Sequence, residues 1–359
     1  MKKFRVYRAG MREMLLLTAG VGMGVLLLKR SGEAAEGVRQ GISVCLEHAI
    51  PALFLFMIFA DYLTLSGTLE LIARPLGFLA RILGIPKKGV PVFLLSLVGG
   101  YPVGPKILGK MVKKGELSVV TAEKMLCYTV NGSPAFLLAG VAIPCFANTQ
   151  IGLILAGSQM LSAFLVGILV RILWGSSRSE KQQSLPTEPP LPAGDAFVRA
   201  VTEGGQSMLM VCGYVIVFSV LAHGLDFIPG ASVWCGFLEV TVGCARLPGG
   251  NFWEMIVLGA GYTAFGGICV WMQAASMLRG TGVRMRKFFL MRGVHIFFSL
   301  LFSIFFVKRM KLPAEVFSTF SHAIPERGGA TAGAAVLLVL ICLLVLIGNH
   351  KKTARITAK

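Results

Sequence analysis

Residues 90–114 read VPVFLLSLVGGYPVGPKILGKMVKK. The apolar run at 90–98 is nine residues long, whereas an α-helix needs about 20 to cross the hydrocarbon core of a bilayer. The run ends on Gly99-Gly100-Tyr101-Pro102-Val103-Gly104-Pro105, a cluster of helix breakers, and a basic stretch follows at 106–114. Glycine frees the backbone, while proline fixes φ and removes a donor, so the chain must turn here. This is the pattern of a re-entrant hairpin that enters a membrane, turns and leaves on the same side.

The composition of the whole chain agrees. Of 359 residues, 55% are hydrophobic and 14% charged, with a mean hydropathy of +0.74; soluble domains carry about a quarter charged residues. So apolar a chain cannot hide its surface in one core, which argues against a cytosolic enzyme, a disordered scaffold or a nucleic-acid reader. The 35 Lys+Arg and 17 Asp+Glu leave a net charge of +18. In a soluble protein that excess would point to phosphate backbones. Here the basic residues fall in short clusters between apolar runs, as cytoplasmic loops carry them. The expected partner is therefore the lipid bilayer, and no nucleic acid. The eight cysteines form no Cys-x-x-Cys pair and read as small buried hydrophobes. The five histidines show no metal spacing. Walker, His-Glu-x-x-His, Gly-x-Ser-x-Gly and kinase motifs are all missing. No enzyme activity, metal or cofactor is expected.

Outward from the hairpin, the chain divides into five parts. Residues 1–30 hold an uncleaved membrane helix at 14–28 that starts in the cytoplasm, because Lys29-Arg30 follow it and no small-x-small cleavage site is present. Gly20 and Gly24 form a small-xxx-small face for a neighbouring helix, or are ordinary glycines of a membrane helix. Residues 31–175 make the first repeat: a mixed lead-in at 34–47, an apolar stretch at 49–66, the hairpin, and a helical segment at 116–130. That segment breaks at Asn131-Gly132-Ser133-Pro134, resumes at 135–143, and an uninterrupted span follows at 151–174. A Ser/Pro-rich soluble linker occupies 176–195. The second repeat, 196–310, follows the same order, with a lead-in, a span at 206–225, a short segment at 236–243 and a helix interrupted at Phe265-Gly266-Gly267. A span at 288–307 closes it. The last part, 311–359, carries a final helix at 332–347 and a basic tail.

With the start inside, the basic clusters at 74–88, 106–114, 171–181, 279–292 and 351–359 all face the cytoplasm, and only Lys308, Arg309 and Lys311 fall on the other side. The two short segments then enter from opposite faces. The expected fold is an all-α polytopic membrane protein: an inverted repeat with re-entrant hairpins and discontinuous transmembrane helices, a pattern in which paired interruptions mark a midplane site.

The interruptions supply the candidate substrate-binding residues. Gly99, Gly100, Tyr101 and Pro102 let backbone amides approach a ligand. Asn131 and Ser133 offer donors and acceptors, and Pro134 pre-organises a half-helix whose amino terminus favours an anion. Glu239 and Thr241 occupy the second hairpin, while Phe265 and Gln273 flank the second break. Glu239, set among Phe237, Leu238, Val240 and Val242, must be neutralised, paired or cation-bound. It binds a coupling proton or sodium, contacts substrate, or pairs structurally with Arg246 or a backbone amide. Glu47-His48 and Asp61 sit nearer segment ends and read as interfacial. Arg292 and His295 share one span and pair with a carboxylate or snorkel. Gly-Pro breaks also serve plain helix packing; their recurrence in corresponding order points instead to a cavity.

The strings GGYPVGPKILGKMVKKGELS at 99–118, NGSPAF at 131–136, FLEVTVG at 237–243 and AFGGICVWMQ at 264–273 resemble the YlbJ family of sporulation integral membrane proteins. That family lies within the nucleoside-recognition Gate group, which is similar in architecture to concentrative nucleoside transporters. The resemblance spans about residues 40–305. It implies a carrier of endospore-forming bacteria in the mother-cell-derived outer forespore membrane, moving dipicolinic acid towards the forespore for spore maturation. A planar dicarboxylate suits half-helix amino termini and Tyr101, with Phe265 or Trp271 stacking on its ring. Lys106 either meets its charge or is a loop lysine at the cytoplasmic rim. The alternatives are a non-transporting scaffold for spore-envelope assembly and a nucleoside-type carrier. A polar cavity touched by both halves favours a carrier; breaks filled by side chains favour a scaffold. A homo-oligomer is compatible with either.

Overall fold

The computed structural model describes residues 14–310 apart from 15, 16, 19, 23, 26, 70, 72, 73, 178–188 and 248–251. The expected last helix at 332–347 and most of the linker lie outside the described residues, and the first segment is described only in part. Every regular element among the described residues is helical.

The first long element is α1, Ser31–Leu65, which absorbs both the lead-in and the apolar stretch into one 35-residue helix. Then come α2 (Gly77–Leu83), α3 (Gly89–Gly99), α4 (Val103–Lys113) and α5 (Val119–Leu126). After them run α6 (Phe136–Phe146), α7 (Thr149–Trp174) and α8 (Ala193–Gly224). The short helices α9 (Ala231–Leu238) and α10 (Val240–Ala245) precede α11 (Phe252–Phe265), α12 (Gly267–Met277) and α13 (Arg286–Arg309). By length and composition α1, α7, α8, α13 and the α11–α12 pair can cross a membrane. Their outward faces carry bare apolar side chains, such as Leu209 at 75% and Phe297 at 62% exposure, which suit lipid and not water.

The long helices pack in two antiparallel pairs. In the first, α1 lies against α8. A Cβ on Gly37 would stand 2.6 Å from the Val220 Cα, one on Gly41 2.7 Å from the Ile216 Cα, and one on Gly204 2.7 Å from an Ile58 side-chain carbon. Rising numbers on one helix thus meet falling numbers on the other. In the second pair α7 meets α13, with Ser162 at His295 and Trp174 at Lys287. Because Gly41 touches backbone, Gly41→Ala is expected to destabilise the protein by about 1–3 kcal/mol through overpacking. A melting curve in detergent reads this directly. Gly213→Ala, on α8 but facing open space, is the control that leaves the melting temperature unlowered. No atom stands within 4 Å of a Cβ built on Gly20 or Gly24, so the close packing expected on that face is not made among the described residues.

Two helices widen to π-turns, at Cys45–Ala49 within α1 and at Phe136–Ala142 within α6. Each lies just before a proline, Pro51 or Pro144. A proline inside a helix lacks an N–H and clashes with the carbonyl four residues back, and a widened turn gives that carbonyl room. The two widened turns also meet, with the His48 Cβ 3.6 Å from a Cβ position on Gly140.

A candidate site where the interrupted helices meet

At the first cluster of helix breakers, α3 and α4 are joined through Gly100-Tyr101-Pro102 into a helical hairpin. Gly100 has φ +88°, and a Cβ there would lie 2.6 Å from Leu53, so only glycine fits the turn. The Tyr101 hydroxyl crosses to the second half and donates to the Thr263 carbonyl at 2.7 Å, and its ring meets Phe136 edge-on. Pro102 precedes the first residue of α4.

At the next interruption α5 stops at Leu126, short of the expected end near residue 130. The chain turns at 127–129 and runs without regular structure to Ser133 before α6 begins. Ser133 Oγ accepts from the Phe136 amide at 3.1 Å, a side-chain cap on the half-helix, and Pro134 sits where its missing N–H costs nothing. Asn131 Nδ2 donates to the Tyr128 carbonyl at 2.9 Å, while its Oδ1 is buried without a partner. The Gly132 amide donates to Gln159 Oε1 at 3.0 Å. A Cβ on Gly132 would lie 3.0 Å from the Tyr101 hydroxyl.

The second hairpin is shorter. Its arms α9 and α10 touch where a Cβ on Gly243 would stand 2.0 Å from the Gly236 Cα. Glu239 caps α10: its carboxylate accepts from the Val242 amide at 2.7 Å and from Thr241 Oγ1 at 3.2 Å. Of the readings open for Glu239, the backbone-amide pairing is the one made in this structure. Arg246 instead holds Asp226 with both terminal nitrogens. The second break falls at Gly266, and a Cβ on Gly267 would lie 3.0 Å from the Leu238 carbonyl, which places this hairpin against it.

Arg292 joins the two breaks. Its guanidinium donates to the Val130 carbonyl at 2.8 Å and to the Ala264 carbonyl at 2.9 Å, and lies over the Phe288 ring. It therefore caps a loose carbonyl in the last turn of α11, the end that carries partial negative charge, and holds the irregular segment after α5 through Val130. At 2% exposure it does not snorkel, and its observed partners are carbonyls, not a carboxylate. The sequence signal was an arginine nearly two turns inside an otherwise apolar span. Gln159 was overlooked as a partner for the break because nothing in α7 marks it.

Other expected residues stand apart from this centre. Phe265 packs on Phe237 and Trp271, and Trp271 on Phe288 and Phe289, edge-on or tilted, so these rings form a cluster of their own. Gln273 bonds within its own helix to Cys269. Lys106 is not in a loop: it lies in α4, buried and paired with Asp61 at 2.6 Å. Asp61 is fully buried close to the end of α1, near the segment end where the sequence put it. Lys110 bridges Asp61 to Glu203 on α8, and Arg199 also binds Glu203. The centre itself is filled by Tyr101, Asn131 and Arg292. A cavity of about 380 Å³ lies elsewhere, lined by Met272, Ser276, Arg279 and Met285 among others.

The helical spans, their lipid-suited faces and their polar interior define an all-α polytopic integral membrane protein. Among curated proteins, the chain is 25% identical over 300 residues to the sporulation integral membrane protein YlbJ of Bacillus subtilis (strain 168), covering 72% of this chain and 73% of that one. This similarity supports the YlbJ resemblance. No family model and no solved structure matches the chain.

Proposed function

We propose that the chain is a sporulation membrane protein acting as a secondary carrier for a small anion, with dipicolinate moved from mother cell towards forespore across the outer forespore membrane. The observation that carries this reading is Arg292, a buried cation that gathers both helix breaks at one point. A buried ionisable group inside a span marks a functional pathway by default. Asn131 Oδ1 and the half-helix amino terminus at Ser133 add polar groups beside it. Support for an inverted repeat comes from the two antiparallel helix pairs, α1 with α8 and α7 with α13, each drawing one member from either half. In this reading the halves rock about the Arg292 junction, driven by a proton or sodium gradient, and the chain catalyses no chemistry. The Gate-group likeness concerns this architecture and not a nucleoside cargo.

The filled centre favours a second reading, a scaffold for spore-envelope assembly that moves nothing. For a carrier, the same packing is the closed stage of its cycle. Uptake of radiolabelled dipicolinate, against a nucleoside, by purified protein in liposomes separates them. Wild-type protein is expected to accumulate dipicolinate and not the nucleoside. Asn131→Ala and Glu239→Ala are expected to lose that uptake at unchanged protein level. Wild-type vesicles no better than protein-free ones sink the carrier, and nucleoside uptake alone changes the cargo.

A further inference from the structure

Between α7 and α13 runs a polar seam of which the candidate site uses only the Arg292 end and the Gln159 side-chain carbonyl. On α13, His295, Ser299 and Ser303 recur one turn apart on the face that begins at Arg292. On α7, Ser162 meets His295 directly, and Ser158 and Gln159 lie buried about one turn before it. Ser162 Oγ lies 2.8 Å from His295 Nδ1 and 2.8 Å from the His295 carbonyl. The antiparallel register then puts Ser158 level with Ser299. All six residues are at most 1% exposed. Nevertheless Ser158 Oγ, Gln159 Nε2, His295 Nε2, Ser299 Oγ and Ser303 Oγ have no hydrogen-bond partner.

Buried polar atoms without partners are disfavoured, and alanine would fill the serine positions without that defect. A file of such groups, one turn apart, has the donors and acceptors that buried water needs. The bonding also assigns the imidazole. Ser162 donates to the His295 carbonyl, so Nδ1 carries the hydrogen and donates to Ser162. Nε2 is then the bare acceptor.

We propose that this seam is a water-filled access path to a proton-binding site at His295 Nε2. A proton arriving along the Ser303–Ser299–Ser158 file forms the Nε2–H bond and leaves by the same route, since Nδ1 is engaged. Sodium does not suit the seam, which has hydroxyls and an amide but no carboxylate among the residues that face it. Arg292, on the same helix, is the charged group that acts on His295; the helices packed against α13 also carry Glu254 and Tyr262 (α11), Glu123 and Lys124 (α5) and Arg171 (α7). Glu123 is bound by Arg284 and Lys287, Tyr262 by the Val233 carbonyl, and Arg171 by the Arg81 carbonyl. Arg292, one turn away, opposes a resident positive charge on His295, and an anion beside Arg292 relieves that opposition. This last link, by which cargo and proton would travel together, rests on the carrier reading; the proton site does not.

The test uses full-length protein, nitrogen-15 labelled at histidine, in lipid vesicles by solid-state NMR, with His295→Gln to assign the signal. Polarisation transferred from water is expected to reach the His295 ring nitrogen, and its shift is expected to move on acidification. Ser299→Val with Ser303→Val is expected to remove the transfer. A wild-type ring that receives nothing from water, or whose shift ignores pH, overturns the proposal. So does unchanged transfer in the double variant. None of these outcomes depends on which cargo, if any, the protein moves.

Discussion

Asp61→Ala is expected to destabilise the protein by about 3–5 kcal/mol, the usual result of removing one partner from a buried ion pair. Asp61 is fully buried and Lys106 nearly so, and Asp61 also holds Lys110. The substitution strands the Lys106 ammonium, whose remaining bond is a 3.3 Å contact to the Glu203 carbonyl. Lys110 keeps its partner Glu203 and suffers less. Adding Lys106→Met removes the stranded charge and is expected to restore most of the loss, because an apolar replacement of a whole buried pair is often neutral. Thermal melting of the two single variants and the double variant in detergent checks this. Additive losses would mean that the pair is not a unit.

The second large effect concerns Arg292. Arg292→Met deletes two hydrogen bonds from a charged donor, each contributing about 1.5–3 kcal/mol, and releases the Val130 and Ala264 carbonyls at the two breaks. Arg292→Lys keeps the charge but not the planar fork that spans two acceptors. In the carrier reading both variants lose dipicolinate uptake, the methionine completely. The lysine variant retains membrane insertion and a melting temperature between those of wild type and Arg292→Met. Wild-type uptake by folded Arg292→Met protein would remove Arg292 from the transport pathway.

The breaks could be read from the chain because they are local chemistry. Gly99 to Pro105, Asn131 to Pro134 and Gly266-Gly267 end helices through residues that either lack a Cβ or lack an N–H. The spans were legible for the same reason, since burial in lipid demands apolar composition over a set length. Their ends were less so: 34–47 and 49–66 proved to be one helix, because the mixed polarity of 34–47 reflects a face packed on α8. What could not be read was convergence. Arg292 meets Val130 at a separation of 162 residues, and its partners there are carbonyls, which every residue carries. Asp61 with Lys106 posed the opposite problem: both charges were visible, but only the return of the hairpin beside α1 makes them neighbours. The prolines at 51 and 144 were visible too, yet the widened turns before them are a response of the backbone and have no letter of their own.

The glycine face of α1 has a consequence for how the protein is made. Gly37 and Gly41 sit against Val220 and Ile216, residues synthesised only after the entire first half and the linker have left the ribosome. Until then α1 must wait in the lipid with its closest-packing face uncovered and Asp61 without the bridge to Glu203. The first half therefore cannot reach its final arrangement alone during insertion. Assembly is gated by the arrival of α8, and the interval before it is when the nascent chain is most open to quality-control proteolysis.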